Sequence, residues 1–280
     1  MRTTSRPVTA RTRLWGTESA MRKLLRLRIN FLGAATGVLL LVLWELAVRT
    51  GILDFEYLPG PTEIAVGLRE ITITGELQGN LLHTLTASLT GWGFAAVVGT
   101  LFGVVLGLVQ PIWRYSMASF EALRALPIVA FVPVAVLLLG FTMQMEITVA
   151  FYAAIWPILL STQAGVRSLD QQLSAVGHVL GLNARERLWK LVLPASTPYI
   201  MVGLRLAMSV SLVLTLVAEM VGNPAGLGFA LIQKGQSLRP DEMFAYVFVI
   251  GMAGIVLNAA LVLFARVAFR GQMIAAGETA

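Results

Sequence analysis

Residues 173–205 read LSAVGHVLGLNARERLWKLVLPASTPYIMVGLR, a polar, helix-forming insert caught between two strongly apolar stretches. On either side, residues 145–164 and 197–221 are each long enough to cross the roughly 30 Å core of a bilayer, which takes about 20 apolar residues in a helix. Working outward, four more such runs appear at 31–50, 81–109, 125–141 and 243–267. Lipid offers backbone groups no hydrogen-bond partner, so these runs must be helices. No ten-residue alternation of the outer-membrane barrel type is present. The chain therefore reads as an all-α polytopic membrane protein with six transmembrane helices.

Composition agrees. The 280 residues are 57% hydrophobic and 13% charged, against about 25% charged in a soluble chain. The net charge of +6 looks like a nucleic-acid signal until its distribution is considered. Eight of the 21 Lys and Arg lie in residues 1–30. Eight more flank alternate spans: Arg114, Arg124, Arg167, Arg185, Arg187, Lys190, Arg266 and Arg270. The other loops hold only Arg49, Arg69, Lys234 and Arg239. Sixteen against four is a positive-inside bias that places both termini in the cytoplasm. The basic tail is then a topology and lipid-surface signal, and no nucleic-acid partner is expected. Its polar segment and first apolar run are both too long for a cleavable leader, so the first span reads as an anchor, with Met1 or Met21 as the start. Cysteine is absent, which excludes disulfides, thiolate metal sites and cysteine nucleophiles.

Within the insert, Ser168 and Gln171 have capping-box spacing, and a helix from there would end at Gly181, a suitable C′ glycine. Asn183 and Glu186 repeat the spacing. A second helix then runs through Leu188, Trp189, Leu191 and Val192 before Pro194. Two short helices thus meet at a Gly181-Leu182-Asn183 turn, with an apolar face beside Arg185, Arg187 and Lys190. Such an element suits either a lipid surface or a docking protein.

Elsewhere, Gly99, Gly103 and Gly107 repeat every fourth residue, a packing device that lets another helix approach closely. Pro111 ends the second span; Pro127 and Pro133 in the third and Pro157 in the fourth each remove a backbone donor. Leu58-Pro59-Gly60-Pro61 forces a turn before a short amphipathic segment over Ile64–Leu68. Glu45 and Arg49 form an i,i+4 pair at the end of the first span. Arg205 and Glu219, charged within the fifth span, are functional candidates by default. Fourteen positions bring them to within about 40° of one face and about 21 Å apart. Ser209, Leu212 and Leu216 share that stripe, which should face protein or a water-filled path. Like charge keeps Glu219 from binding an anion directly.

Gly181, Leu193 and Pro194 fit in register the loop motif E-A-A-x3-G-x9-I-x-L-P, and the chain resembles the permease subunits of ABC importers that carry it. The E-A-A positions hold Ala175, Val176 and Gly177, so the glutamate is missing. Pro194-Ala195-x2-Pro198-Tyr199-Ile200-x2-Gly203-Leu204-Arg205, Ala218-Glu219-Met220 with Gly226-Leu227-Gly228, Leu58-Pro59-x-Pro61 and Leu126-Pro127 are similar to the nitrate/taurine/sulfonate branch. The resemblance spans residues 40–268. It implies a type I importer permease fold in which residues 168–194 are a cytoplasmic coupling loop, with Ala175, Gly177, Gly181, Leu182, Asn183, Ala184, Arg185, Arg187, Trp189, Leu193 and Pro194 as its working residues. Residues 31–270 would be the membrane domain, with cytoplasmic tails at 1–30 and 271–280, in the inner membrane. The implied partners are two ABC ATPase subunits, an extracytoplasmic binding protein, a second permease chain as homodimer, and lipid; no cofactor or metal is implied. The cargo would be a small anionic or sulfur- or nitrogen-containing nutrient.

Other classes fit less well. A serine protease needs a base at the depth of its nucleophile, whereas His83 sits at a span's end and His178 in the insert. The zinc-protease pair H-E-x-x-H is missing, as is any Gly-Lys pair for a nucleotide loop. A secondary transporter or channel remains as an alternative, though no internal repeat is evident.

Overall fold

A computed structural model describes residues 33–52, 55, 57–168, 179–221 and 223–268. The tails 1–30 and 271–280, the helix expected after Ser168, and Ala175 and Gly177 therefore lie outside the described residues. The chain divides into two compact units, residues 1–63 and 64–280.

In the first unit, helix α1 covers residues 33–49. Near its end Glu45 accepts from Arg49 Nε at 2.5 Å, from the Thr62 backbone N–H at 3.0 Å and from the Thr62 hydroxyl at 2.7 Å. The carboxylate expected only to pair with its helix neighbour also fastens the proline turn. Pro61 then opens α2 (Pro61–Ile73), where its missing N–H costs nothing.

The second unit continues with α3 (Glu76–Leu108), α4 (Gln110–Ala125), α5 (Ile128–Leu139), α6 (Met143–Arg167), α7 (Ala184–Met220), α8 (Leu227–Gln236) and α9 (Pro240–Ala268). Its centre is α3 laid along α6, and α6 along α7. A Cβ added at Gly99 would lie 3.1 Å from Ile158 Cβ; at Gly103, 2.7 Å from Thr162 Cβ; at Gly107, 2.5 Å from Val166 Cβ. The glycine row of α3 is thus the surface on which α6 rests. Gly165 and Gly203 let α6 meet α7 in the same way, with Tyr199 and Ser161 in the spaces a side chain would need. Around this centre, Ile71, Leu212, Leu216, Leu227 and Tyr246 form one apolar cluster, and Val132, Met145, Val149 and Leu214 another.

Among the described residues, four helices are long and apolar enough to cross a membrane: α3, α6, α7 and α9. α1 is described over 17 residues only. The third expected span needs correction. Residues 125–141 are not one helix: α5 has 12 residues, about 18 Å at 1.5 Å per residue, too short for the bilayer core. The chain reaches it through α4, bent 83° from α5. Pro127 is the cause, because the residue before a proline is pushed out of the helical region, and Leu126 is extended with ψ 128°. Pro133 and Pro157, by contrast, are accommodated within continuous helices.

Nor does Pro194 end a helix, as its place after Val192 leads one to expect. Residues 184–187 are α-helical, 188–192 form a π turn and 193–220 continue as α-helix. The insert's second helix and the fifth span are one rod. Leu193 N–H reaches back to the Leu188 carbonyl, five residues away, so the wider turn is in place where Pro194 supplies no donor.

Candidate functional site

Two groups of residues stand at opposite ends of the bundle. The insert joins the end of α6 to the start of α7. There Gly181 has φ +65°, the left-handed region that a side chain disfavours, and a Cβ on it would meet nothing within 4 Å. Asn183 Oδ1 accepts from Glu186 N–H at 2.9 Å, and Glu186 Oε2 accepts from Asn183 N–H at 3.1 Å, a complete capping box. Lys190 Nζ donates to Glu186 Oε1 at 3.0 Å. That hydrogen bond, then the one from Asn183 N–H, holds the Glu186 carboxyl below the usual range. Val179, Leu180 and Trp189 are exposed around the turn, Trp189 to 64%, and Arg185 and Ala184 are exposed beside them. Leu182, Arg187, Leu193 and Pro194 are half-buried, and Val192 is buried. The result is a capped knob with an apolar, basic outer surface that runs directly into α7.

The other group lies where α3 and α6 begin and α7 ends. Glu219, fully buried, accepts from the Thr84 hydroxyl at 2.7 Å and from Gly228 N–H at 2.8 Å. Thr84 Oγ1 in turn accepts from Leu227 N–H at 2.9 Å, and Asn80 Oδ1 from Gly226 N–H at 3.1 Å. A Cβ at Gly226 would collide with the Glu219 carboxylate, so the glycines of Gly226-Leu227-Gly228 let the start of α8 close over the acid. Next to it Glu146, also fully buried, meets His83 Nε2 at 2.9 Å and accepts from Asn223 Nδ2. His83, Glu146 and Glu219 bring their donor atoms within 4.8 Å of one another. Each of those oxygens is engaged by a protein group, and the arrangement is a hydrogen-bonded clamp joining α3, α6, α7 and the start of α8.

The stripe on α7 divides. Leu212 and Leu216 are buried in the apolar cluster and Glu219 in the clamp. Arg205 and Ser209 are exposed, with Arg205 Nε donating to Asn258 Oδ1 of α9 at 2.8 Å. Different neighbours along α7 separate what ideal helical spacing puts on one face. Glu146, His83, Thr84 and Asn223 are absent from the sequence-derived site, because their partners lie 63 to 143 residues away. The readable signal is Glu146 itself, an acid inside the 145–164 run, which is costly without partners.

At the same end, Lys234 Nζ lies 2.7 Å from Glu242 and 2.8 Å from Glu76. Burial alone would lower its pKa, but hydrogen bonds to these two acids outweigh burial and hold the ammonium above the usual lysine range. α8 is therefore tied to α3 and α9 by charge as well as by packing.

Residues 95–272 match the model of the family described as binding-protein-dependent transport system inner membrane component. The chain is 26% identical over 222 residues to the putative aliphatic sulfonates transport permease protein SsuC of Bacillus subtilis, covering 79% of this chain and 80% of that one. It is 31% identical over 230 residues to the bicarbonate transport system permease protein CmpB of Synechococcus elongatus, covering 78% and 82%. It is also 31% identical over 190 residues to the nitrate import permease protein NrtB of Leptolyngbya laminosa, covering 66% and 68%. Among solved structures, the inward-facing MetNI methionine ABC transporter has a chain of the same fold, with TM-score 0.60 at 17% identity over 68% of this chain and 94% of that one. An amino acid ABC transporter gives TM-score 0.57 at 16% identity over 72% and 97%. A helical bundle with an exposed, capped knob at one end, a type I importer permease fold and a family match over most of its length lead to one conclusion: the chain belongs to the binding-protein-dependent inner membrane components and is a permease subunit of an ABC importer.

Proposed function

We propose that this permease works as a homodimer, with two cytoplasmic ATPase subunits seated on the knob around Gly181 and a substrate-binding protein delivering cargo at the clamp end. Residues 31–270 form the membrane domain and residues 168–194 the coupling loop, with cytoplasmic tails on either side. The observation that carries this reading is the exposed apolar and basic surface of Val179, Leu180, Arg185 and Trp189, displayed on a capped turn that continues rigidly into a span. An apolar surface of this kind calls for a partner, and a rigid rod transmits the partner's movement into the bundle. In the absence of the motif's glutamate, shape and the charges of Arg185 and Arg187 carry the docking. The sulfonate, bicarbonate and nitrate in the relatives' names share a small oxyanion, and we assign this chemical class to the cargo.

Sidedness tests the arrangement. Single cysteines introduced in this cysteine-free chain at positions 20, 117, 184 and 275 are expected to react with an impermeant maleimide only from the cytoplasm. Those at positions 62 and 236 should react only from outside. The sixteen-to-four distribution of basic residues supports this orientation; reversal of either set would refute it. A thermal-shift screen of the binding protein against ethanesulfonate, taurine, nitrate and bicarbonate then identifies the cargo, and stabilisation by cations or sugars alone would exclude the oxyanion class.

A further inference from the structure

Arg205 sits at mid-length on α7, about 18 Å from Leu193 and about 22 Å from Met220 along the axis. Its side chain is exposed, on a face shared with Tyr199, Val202, Ser209 and Val213. A guanidinium at that depth on a lipid-facing surface is costly, so charges there face protein or water. Among the described residues Arg205 makes no ion pair, and its hydrogen bond goes to Asn258 through Nε at 2.8 Å. The nearest candidate for neutralisation on its own stripe, Glu219, is buried in the clamp with Thr84 and Gly228. Of five guanidinium N–H groups, one is thus held by α9, and the two Nη groups form an open fork of the kind that grips planar or tetrahedral oxyanions with two parallel bonds. Ser209, one turn further along, adds a hydroxyl on the same exposed face.

We infer that Arg205, Ser209 and Asn258 form an oxyanion station midway along the transport pathway. Asn258 fixes the guanidinium through Nε, the Nη edge takes the anion, and Ser209 donates to it. The inference rests on the permease reading and adds a second point of selectivity, within the membrane, to that of the binding protein. The class it accepts is a small monovalent oxyanion such as a sulfonate, nitrate or bicarbonate.

The test needs neither a known cargo nor turnover. Ser209→Cys is introduced in the cysteine-free chain, and the whole complex is treated with an anionic methanethiosulfonate (sulfonatoethyl) or a cationic one (trimethylammonioethyl). Each rate is divided by that of the same reagent with a free thiol. The anionic reagent is expected to be favoured about tenfold or more, the scale of electrostatic focusing in a charged cleft. Arg205→Gln should abolish the preference and Arg205→Lys should keep most of it. Asn258→Ala should reduce it, providing a second variant should Arg205→Gln fail to assemble. Ethanesulfonate should slow labelling when Arg205 is present and not in Arg205→Gln. A position 209 that reacts with neither reagent in any nucleotide state, or a preference indifferent to Arg205, would overturn the station. Either result can occur with binding-protein-stimulated ATP hydrolysis intact, whereas hydrolysis that ignores the binding protein would sink the permease reading itself.

Discussion

Gly181→Val is expected to leave the chain inserted and folded while cutting the stimulation of ATP hydrolysis by loaded binding protein at least tenfold. The effect is conformational. With φ at +65°, a β-branched residue pays about 1–3 kcal/mol to keep the turn. A factor of ten corresponds to about 1.4 kcal/mol, so losing the turn's shape suffices. Because a Cβ there touches nothing within 4 Å, no steric damage spreads into the bundle, and the spans should retain their stability. A graded series sharpens the expectation. Gly181→Asn, tolerated in the left-handed region, should retain most coupling, Gly181→Ala less, and Gly181→Val least. Coprecipitation of the ATPase and its hydrolysis rate measure the series. Equal coupling across all three would show that the turn is not the coupling element.

The second large effect is on the fold. Gly103→Leu would place a Cβ 2.7 Å from Thr162 Cβ and 2.8 Å from the Leu159 carbonyl. The carbonyl belongs to the backbone of α6 and cannot swing aside, so α3 and α6 must separate. Overpacking of this kind costs about 1–3 kcal/mol, and here it also removes the close backbone approach on which membrane helix packing depends. The purified protein should show a lowered Tm or fail to accumulate. Gly93→Leu is the internal control: the same helix carries it, with nothing within 4 Å of the added Cβ, and its Tm should stay close to that of the parent. If both variants behave alike, the glycine row is not the packing surface.

What was legible in the sequence is what depends on neighbours in the chain. Apolar runs mark the long helices, the Asn183–Glu186 spacing marks the cap, and Gly99, Gly103 and Gly107 mark a face that α6 occupies. The α4–α5 bend was half-legible: Pro127 was visible, but an unbroken apolar run over 125–141 outweighed it. The π turn was hidden because Pro194 also reads as a stop, and only the structure reveals that the preceding turn widens to pass it. The clamp was legible in one member, Glu219. Its others are polar residues near helix ends, ordinary one at a time, whose partners arrive from distant segments. Arg205 and Glu219 share a helical stripe in projection, yet one is exposed beside Asn258 and the other is enclosed by Thr84 and Gly228, because different helices cover the two halves of α7.

ATP-driven uptake by proteoliposomes decides whether the chain carries cargo as an ABC permease. The permease is reconstituted with its ATPase, ATP is supplied on the side of the Gly181 knob, and binding protein with labelled cargo is supplied on the opposite side. Accumulation is expected only when ATP and binding protein are both present and on those opposite sides. Cargo that accumulates at the same rate without ATP, or that follows an imposed ion gradient instead, would show a secondary transporter rather than an ATP-driven importer.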